Sequence, residues 1–330
     1  MEAKPLGSYP PTSIDVLVAG TGLGGLSAAL ECRRKGHQVR VLERNPGINV
    51  AGDVYFMGLS GTRWFKHWPG IQKRYHEISL HNAWIETYKH NGEIIIPPKK
   101  VSDCLRVAEL DPNLAPGEFQ MRPLMFFDAA EDAGIKIEFN RKVVDYFEDE
   151  SRGKGGCIID DDTRYEADVV IAADGVGSKS QRLVGGQVRA ESSGRAMWRA
   201  AFPKEHLDKN PEVKEFFKMQ PGNEPVVRTF LGPSTYALTL SREDVMVWIT
   251  NHDATGSEEE NWNRTIDAQE VLDGIDNLPG KWCNIFKELV RITPPNTIVN
   301  FPLFWRQCEK WTDREMPIRP NPSKVASIRI

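Results

Sequence analysis

The chain has 330 residues, with 42 Lys and Arg against 46 Asp and Glu, which gives a net charge of -4. That length holds one large or two medium domains with a real core. The balanced charge, without a sustained basic stripe, argues against nucleic acid as a partner. Five widely spaced cysteines without a CxxC pair indicate neither a metal site nor a disulfide framework, and a reduced, cytoplasmic compartment fits them best. No segment resembles a secretory signal or a membrane span.

The first predicted unit covers residues 14–43. An apolar run at residues 14–19 predicts a buried parallel strand, and Gly20, Gly22 and Gly25 follow it in the spacing GxGxxG. Helix-forming residues come next, and then a second apolar strand that ends at Glu43. The pattern is a complete strand, turn, helix and strand unit.

Each glycine of this unit has a physical role. Gly20 allows a tight turn, Gly22 lets the backbone approach a pyrophosphate, and Gly25 lets the helix pack closely on the sheet. The diphosphate would lie at the positive N-terminal end of the helix. Glu43 would accept hydrogen bonds from a ribose diol, and its charge would repel a 2′-phosphate. The alternative is an ordinary tight turn in an α/β protein.

Two further elements precede the next motif. Residues 84–96 predict a hairpin around Asn91 and Gly92. A helix is expected from Gln120 to Gly134, with Arg122 near its N-terminus and a proline just after it. By itself, an arginine in that place is more often a solvated surface residue.

A third buried strand is predicted at residues 168–172, followed by Asp174 and Gly175. A carboxylate at the C-terminal end of a strand lies where ligands bind in open α/β sheets. The alternative is a helix cap, since Asp is common before a turn.

The pattern changes after Gly194 to short strands separated by turns. Strands are expected at residues 196–203, 226–231, 236–240 and 245–251, with a charged helix around 204–219 and helical structure at 257–290. This succession predicts an antiparallel sheet inserted after a nucleotide-binding domain.

Taken together, the motifs resemble those of the FAD-dependent aromatic hydroxylases, the group A flavoprotein monooxygenases typified by para-hydroxybenzoate hydroxylase, and particularly their fungal salicylate-hydroxylase-like branch. The resemblance covers residues 14 to about 302 and assigns cofactor binding to Gly20, Gly22, Gly25, Glu43, Arg122, Asp174 and Gly175.

The resemblance implies an α/β fold: a Rossmann-like, three-layer FAD-binding domain of the glutathione-reductase type with an inserted antiparallel substrate domain. We expect the first domain at residues 1–194, with a hairpin inserted near 83–100, and the second at 195–300. The family's further GD motif is not found after Asp174, and residues 316–330, at the end of the segment 301–330, show neither a helix nor a strand period. These observations predict an irregular tail, a truncated chain and weakened FAD affinity.

The resemblance also implies a reaction. NADH or NADPH would reduce FAD, O2 would form a flavin C4a-hydroperoxide, and an aromatic or polyketide- or alkaloid-type small molecule would be hydroxylated. Arg199, in WRAAFP, matches a substrate-activating arginine of related fungal enzymes and could stabilise a phenolate. Tyr236 could be its hydrogen-bonding partner. A structural salt bridge for Arg199 and a core position for Tyr236 are the alternatives.

Two other functions stay open on the sequence. One is a catalytically impaired, truncated product of a monooxygenase gene. The other is an NAD-dependent Rossmann oxidoreductase that uses the same first unit. The sequence does not identify the substrate, the nicotinamide cofactor or the oligomeric state.

Overall fold

A computed structural model describes residues 9–48, 54–68, 70–80, 82–104, 118–121, 124–175, 177–183, 191–254, 265–305 and 325–327. The strands are β1 (Asp15–Ala19), β2 (Gln38–Leu42), β3 (Val54–Met57), β4 (Trp84–Lys89), β5 (Ile94–Lys100), β6 (Glu118–Met121), β7 (Lys136–Glu138), β8 (Val143–Asp149), β9 (Lys154–Ile159), β10 (Arg164–Ala167), β11 (Val169–Ala172), β12 (Glu191–Pro203), β13 (Val226–Gly232), β14 (Thr235–Ser241), β15 (Val245–Asp253), β16 (Thr265–Ile266), β17 (Ile298–Trp305) and β18 (Val325–Ser327).

The α-helices are α1 (Leu23–Arg34), α2 (Leu59–Thr62), α3 (Ile71–Ile78), α4 (Val101–Cys104), α5 (Leu124–Asp132), α6 (Pro211–Phe216), α7 (Ala268–Asp276) and α8 (Asn284–Arg291). Short 3-10 helices lie at Phe65–His67, Ser180–Arg182 and Lys204–Lys209. No helix in the described part of the chain is long and apolar enough to cross a membrane.

The chain divides into two compact units. The first comprises Met1–Ser79, Gln120–Ala190 and Arg306–Ile330, and the second comprises Leu80–Phe119 and Glu191–Trp305. The predicted α/β architecture with an inserted antiparallel sheet is confirmed.

A five-stranded parallel sheet forms the centre of the first unit, in the order β18-β11-β1-β2-β7. Its central strand β1 is apolar and buried from Val16 to Ala19, as expected for a strand that is covered on both faces. Helix α1 packs on this sheet through buried small residues that include Gly25 and Ala29. The helix ends before Gly36, which has a φ of +90°.

Two smaller sheets are present in addition to the parallel sheet. Strands β10, β9 and β8 form an antiparallel sheet, and β3 pairs with β6. Tyr146 on β8 and Cys157 on β9 are buried in one apolar cluster with Leu17 and Ala19 of β1. This cluster joins the antiparallel sheet to the parallel sheet.

The second unit contains an eight-stranded sheet in the order β16-β17-β12-β15-β14-β13-β4-β5. Its strand pairs are antiparallel, except that β13 and β4 run parallel. One face of the sheet packs on α7 and α8, with Trp248 and Phe286 completely buried in the shared core. Their rings meet edge to face at a centroid distance of 6.1 Å.

A buried ion pair lies within the second unit. Arg228 Nε is 2.8 Å from Glu86 Oε2, and each side chain is 4% exposed. The Tyr88 hydroxyl donates a hydrogen bond of 2.8 Å to the same carboxylate oxygen. Burial, together with the charge of Glu86, raises the pKa of Tyr88 to about 12.

Several predicted elements differ from the structure. The hairpin near residues 83–100 does not belong to the first unit, because β4 pairs with β13 from Trp84–Val226 to Lys89–Leu231. The predicted irregular tail contains the end of β17 at Trp305 and the strand β18, which pairs with β11. Both differences arise because strands that are distant in the sequence pair with each other. The local sequence pattern does not show which strands will pair.

The predicted helices are also shorter than expected. Residues 118–121 form strand β6, and α5 begins only at Leu124. The helix expected at 204–219 divides at Asn210, whose side chain accepts hydrogen bonds from the backbone N–H groups of Glu212 and Val213 and so begins α6. The segment 257–290 contains α7 and α8, with 257–264 outside the described residues.

Candidate functional site

Three predicted site residues lie at one edge of the parallel sheet. Gly20, Glu43 and Asp174 come one or two residues after the carboxyl ends of β1, β2 and β11. In the register, Ala19 pairs with both Leu42 and Ala172, so these strands end level with one another. This is the edge at which open α/β sheets bind ligands.

The first and third glycines are fixed by close backbone contacts. Gly20 has a φ of +101°, and a Cβ there would lie 2.4 Å from the carbonyl oxygen of Ala173. A Cβ on Gly25 would lie 2.0 Å from the carbonyl oxygen of Gly20. No other residue type fits either position without moving the backbone.

Gly22 differs from the other two glycines. It is exposed, and a Cβ there would meet nothing within 4 Å. It is also the N-cap of the 12-residue helix α1, with no side chain to occupy the N–H groups of the first turn. The second glycine therefore presents an open surface at a helix N-terminus that no capping side chain covers, an arrangement that favours an anionic group.

The carboxylate of Glu43 is held by the glycine turn. Its Oε2 atom accepts hydrogen bonds from the Thr21 backbone N–H at 3.0 Å and from the Thr21 hydroxyl at 2.6 Å. Its Oε1 atom accepts a hydrogen bond from the Asn45 N–H at 2.9 Å. Glu43 is 6% exposed, so these three donors compensate for the loss of hydration of its carboxylate.

Asp174 is the other acidic residue at this edge. Its Oδ1 atom is buried and makes no hydrogen bond of normal geometry among the described residues. The same holds for the Tyr146 hydroxyl, which is nevertheless near enough to Asp174 for the two groups to interact electrostatically. Burial raises the pKa of Tyr146 well above 10.0, and the charge of Asp174 adds to the rise. Gly175 has a φ of +87°, and a Cβ there would meet nothing within 4 Å.

Arg199 and Tyr236 lie in the second unit, on one face of its sheet. Arg199 on β12 pairs with Ile249, which pairs with Leu238 on β14. Tyr236 is two residues from Leu238, so it shares the face of Arg199, and the strands are about 10 Å apart. Neighbouring Trp198 points to the opposite face and is part of the helix-covered core.

The face that carries Arg199 and Tyr236 is partly open. Tyr236 is 42% exposed and is therefore not a core residue, and Leu231, opposite it on β13, is 45% exposed. Arg199, Leu238 and Ile249 are half-buried. The face carries the Arg199 guanidinium and the Tyr236 phenol among apolar side chains. A direct hydrogen bond between Arg199 and Tyr236 stays a prediction.

The remaining predictions fall outside this geometry. Arg122 lies outside the described residues, so its predicted place beside the other site residues stays a prediction.

Sequence reasoning missed Thr21 and Tyr146. The glycine motif predicts where Thr21 lies, but it does not predict the hydrogen bonds of Thr21 to Glu43. No feature of the sequence around Tyr146 predicts that this residue lies near the site. In the described ranges, no group of three or more His, Cys, Asp or Glu could hold a metal ion.

Comparisons with known proteins identify several that are similar to this chain. Residues 13–287 match the model of a family described as FAD binding domain. The FAD-dependent monooxygenase dmxR9 of Cryptosporiopsis sp. is 33% identical over 312 residues, and fsr3, an FAD-dependent monooxygenase of Gibberella fujikuroi, is 32% identical over 316 residues. Each alignment covers 92% of this chain and 59% of the relative, so the chain spans less than two thirds of their length.

A solved structure shows the same fold. The crystal structure of CtdE in complex with FAD matches with a TM-score of 0.76 and 23% sequence identity. The match covers 96% of this chain and 77% of the CtdE chain.

Proposed function

The chain belongs to the FAD binding domain family, and from this premise we propose that it is an FAD-dependent monooxygenase. In the proposed reaction, NADH or NADPH and a proton reduce O2. One oxygen atom enters an aromatic or polyketide- or alkaloid-type small molecule as a hydroxyl group, and the other leaves as water. Support comes from the two similar fungal proteins, both named FAD-dependent monooxygenases.

The main support for the proposal is the arrangement of residues at the sheet edge where β1, β2 and β11 end. Gly22 offers an open backbone surface for the diphosphate of FAD, while Gly20 and Gly25 keep the turn and helix α1 close to the sheet. Glu43 offers a fixed carboxylate for the adenosine ribose. When bound, FAD supplies the electron transfer and the activation of oxygen.

We assign Asp174 and Gly175 to the same cofactor site. The buried Oδ1 atom of Asp174 is an acceptor without a partner among the described residues, as expected of a group that meets a ligand donor. Gly175 has a left-handed backbone conformation, and a Cβ there would meet nothing within 4 Å, so this position leaves room for a ligand. Arg122 is proposed to line the flavin on the resemblance alone.

Substrate binding is assigned to the partly open sheet face of the second unit. The positive charge of the Arg199 guanidinium would stabilise the negative charge of a phenolate. The Tyr236 hydroxyl would donate a hydrogen bond that orients the ring. The apolar neighbours Leu238 and Ile249 would pack against the substrate and exclude water from it.

Titration of the purified chain with FAD, followed by visible absorption, tests the cofactor assignment. We expect a bound flavin spectrum, and then oxidation of NADH or NADPH with incorporation of one labelled atom from ¹⁸O2 into an aromatic substrate. Nicotinamide-dependent turnover without flavin would instead support a dehydrogenase. FAD binding without oxygen transfer to any of a panel of phenols would support the impaired form.

The role of Arg199 has its own test. Arg199→Gln is expected to lower kcat/KM by about 10² to 10³, because it removes the positive charge from the developing phenolate. Its affinity for FAD should stay unchanged. Arg242→Gln is the matched control, since Arg242 lies in the turn between β14 and β15 and pairs with Asp244 at 3.0 Å. Equal losses in both variants would contradict a specific role for Arg199.

A further inference from the structure

Thr21, the residue between the first two glycines, makes two hydrogen bonds to one carboxylate oxygen. Its backbone N–H and its hydroxyl both reach Glu43 Oε2, at 3.0 and 2.6 Å. The residue is half-buried, and it links the end of β1 to the end of β2. The side chain of Thr21 therefore binds Glu43, the acidic residue that follows β2.

The remaining capacity of Glu43 can be counted. An ionised carboxylate has about four acceptor positions on its two oxygens. Thr21 uses two positions on Oε2, and the Asn45 N–H uses one on Oε1. About one position therefore stays open, and it lies on Oε1.

The hydroxyl of Thr21 decides which oxygen is open. Without it, Oε2 would keep only the backbone N–H, and the carboxylate could turn about its terminal torsion, which is soft. The bond to the hydroxyl is short and charge-assisted, the stronger class of hydrogen bond in proteins. It therefore holds the carboxylate in one orientation.

We propose that Thr21 is a positioning residue that fixes the Glu43 carboxylate so that Oε1 accepts a single hydroxyl group of the adenosine ribose. This inference rests on the proposed binding of FAD. It adds Thr21 to that site, and it specifies how many ribose hydroxyls bind Glu43. Glu43 accepts one ribose hydroxyl, rather than both hydroxyls of the diol as the motif predicts.

The test measures affinity for adenosine nucleotides by displacement of FAD, without turnover. ADP, 2′-deoxy-ADP and 3′-deoxy-ADP are the probes. For the unmodified chain, one deoxy analogue is expected to bind about tenfold more weakly than ADP, and the other nearly as well as ADP. Comparable losses with both analogues would overturn the single-acceptor arrangement.

Variants of Thr21 separate positioning from simple structural support. Thr21→Val is expected to weaken ADP binding about tenfold and to abolish the preference for ADP over the sensitive analogue. Thr21→Ser keeps the hydroxyl and should restore both properties. In a Glu43→Ala background, Thr21→Val should cause no further loss, because the two residues act as one unit.

Thr12→Val is the matched control. Thr12 precedes the opposite end of β1, and its hydroxyl makes a bond of similar length, 2.7 Å, to His37 Nδ1. This variant should keep the affinity and the analogue preference. If Thr21→Val retains the preference, the positioning role is wrong. If the unmodified chain binds neither FAD nor ADP, the proposed function itself fails, which is a distinguishable result.

Discussion

The two units build their candidate ligand surfaces from different parts of the chain. In the first unit, the surface consists mainly of backbone at the ends of parallel strands, where Gly20 and Gly22 leave no side chain in the way. In the second unit, it consists of side chains on one face of an antiparallel sheet, with Arg199 and Tyr236 among apolar neighbours. A backbone surface suits a constant group such as a diphosphate, whereas a side-chain surface can change with the substrate.

The units also differ in how they bury charge. In the second, Arg228 and Glu86 form an ion pair in which each side chain is 4% exposed. In the first unit, the buried carboxylate of Glu43 accepts hydrogen bonds from neutral donors, which belong to Thr21 and Asn45. Loss of a charged partner should therefore affect the second unit more strongly than loss of a neutral partner affects the first.

The largest expected effect comes from the buried ion pair. Arg228→Met should lower the free energy of unfolding by about 3–5 kcal/mol, because it leaves the Glu86 carboxylate buried without its cation. Urea denaturation followed by far-UV circular dichroism measures this loss. The double variant Glu86→Gln with Arg228→Met should recover part of it. A loss below about 1 kcal/mol would mean that Glu86 is rehydrated in the variant.

Two glycines of one motif provide the next comparison. Gly25→Ala should cost about 3 kcal/mol of unfolding free energy, because its Cβ would lie 2.0 Å from a backbone oxygen. Gly22→Ala should cost less than about 1 kcal/mol, since its Cβ meets open space. Gly22→Ala should nevertheless weaken FAD binding, because the methyl group occupies the surface proposed for the diphosphate.

Denaturation of the FAD-free protein and FAD titration measure these two effects separately. If Gly22→Ala binds FAD as tightly as the unmodified chain, the diphosphate does not lie at this surface.

The smallest expected effect concerns Tyr146. Its hydroxyl has no partner among the described residues, so Tyr146→Phe should change the unfolding free energy by less than about 1 kcal/mol near neutral pH. The folded pKa of Tyr146 is raised above 10.0, so ionisation in the unfolded state removes stability as pH rises above about 10. The phenylalanine variant lacks this loss, so its stability relative to the unmodified protein should rise between neutral pH and pH 10.5.

Parallel denaturation series at pH 7 and at pH 10.5 check the difference. An unchanged difference between the two proteins at both values would show that Tyr146 ionises as easily in the folded state as in the unfolded state.

Much of the first unit could be predicted because its signals are local. The apolar runs of β1, β2 and β11 are continuous, and the glycine spacing follows from steric limits on a single turn. The pairing of β4 with β13 and of β18 with β11 could not be predicted, because each joins segments more than 100 residues apart. Strand patterns show that a residue is in a strand, but not which strand is its neighbour.

By itself, the sequence determined the α/β class, the glycine turn and the acid that closes the second strand, because each depends on adjacent residues and on backbone sterics. Only the tertiary structure decided that Thr21 holds Glu43, that Tyr146 comes within electrostatic reach of Asp174, and that Arg199 and Tyr236 share a sheet face. These relations depend on strand order and register, which are set by the packing of the whole unit.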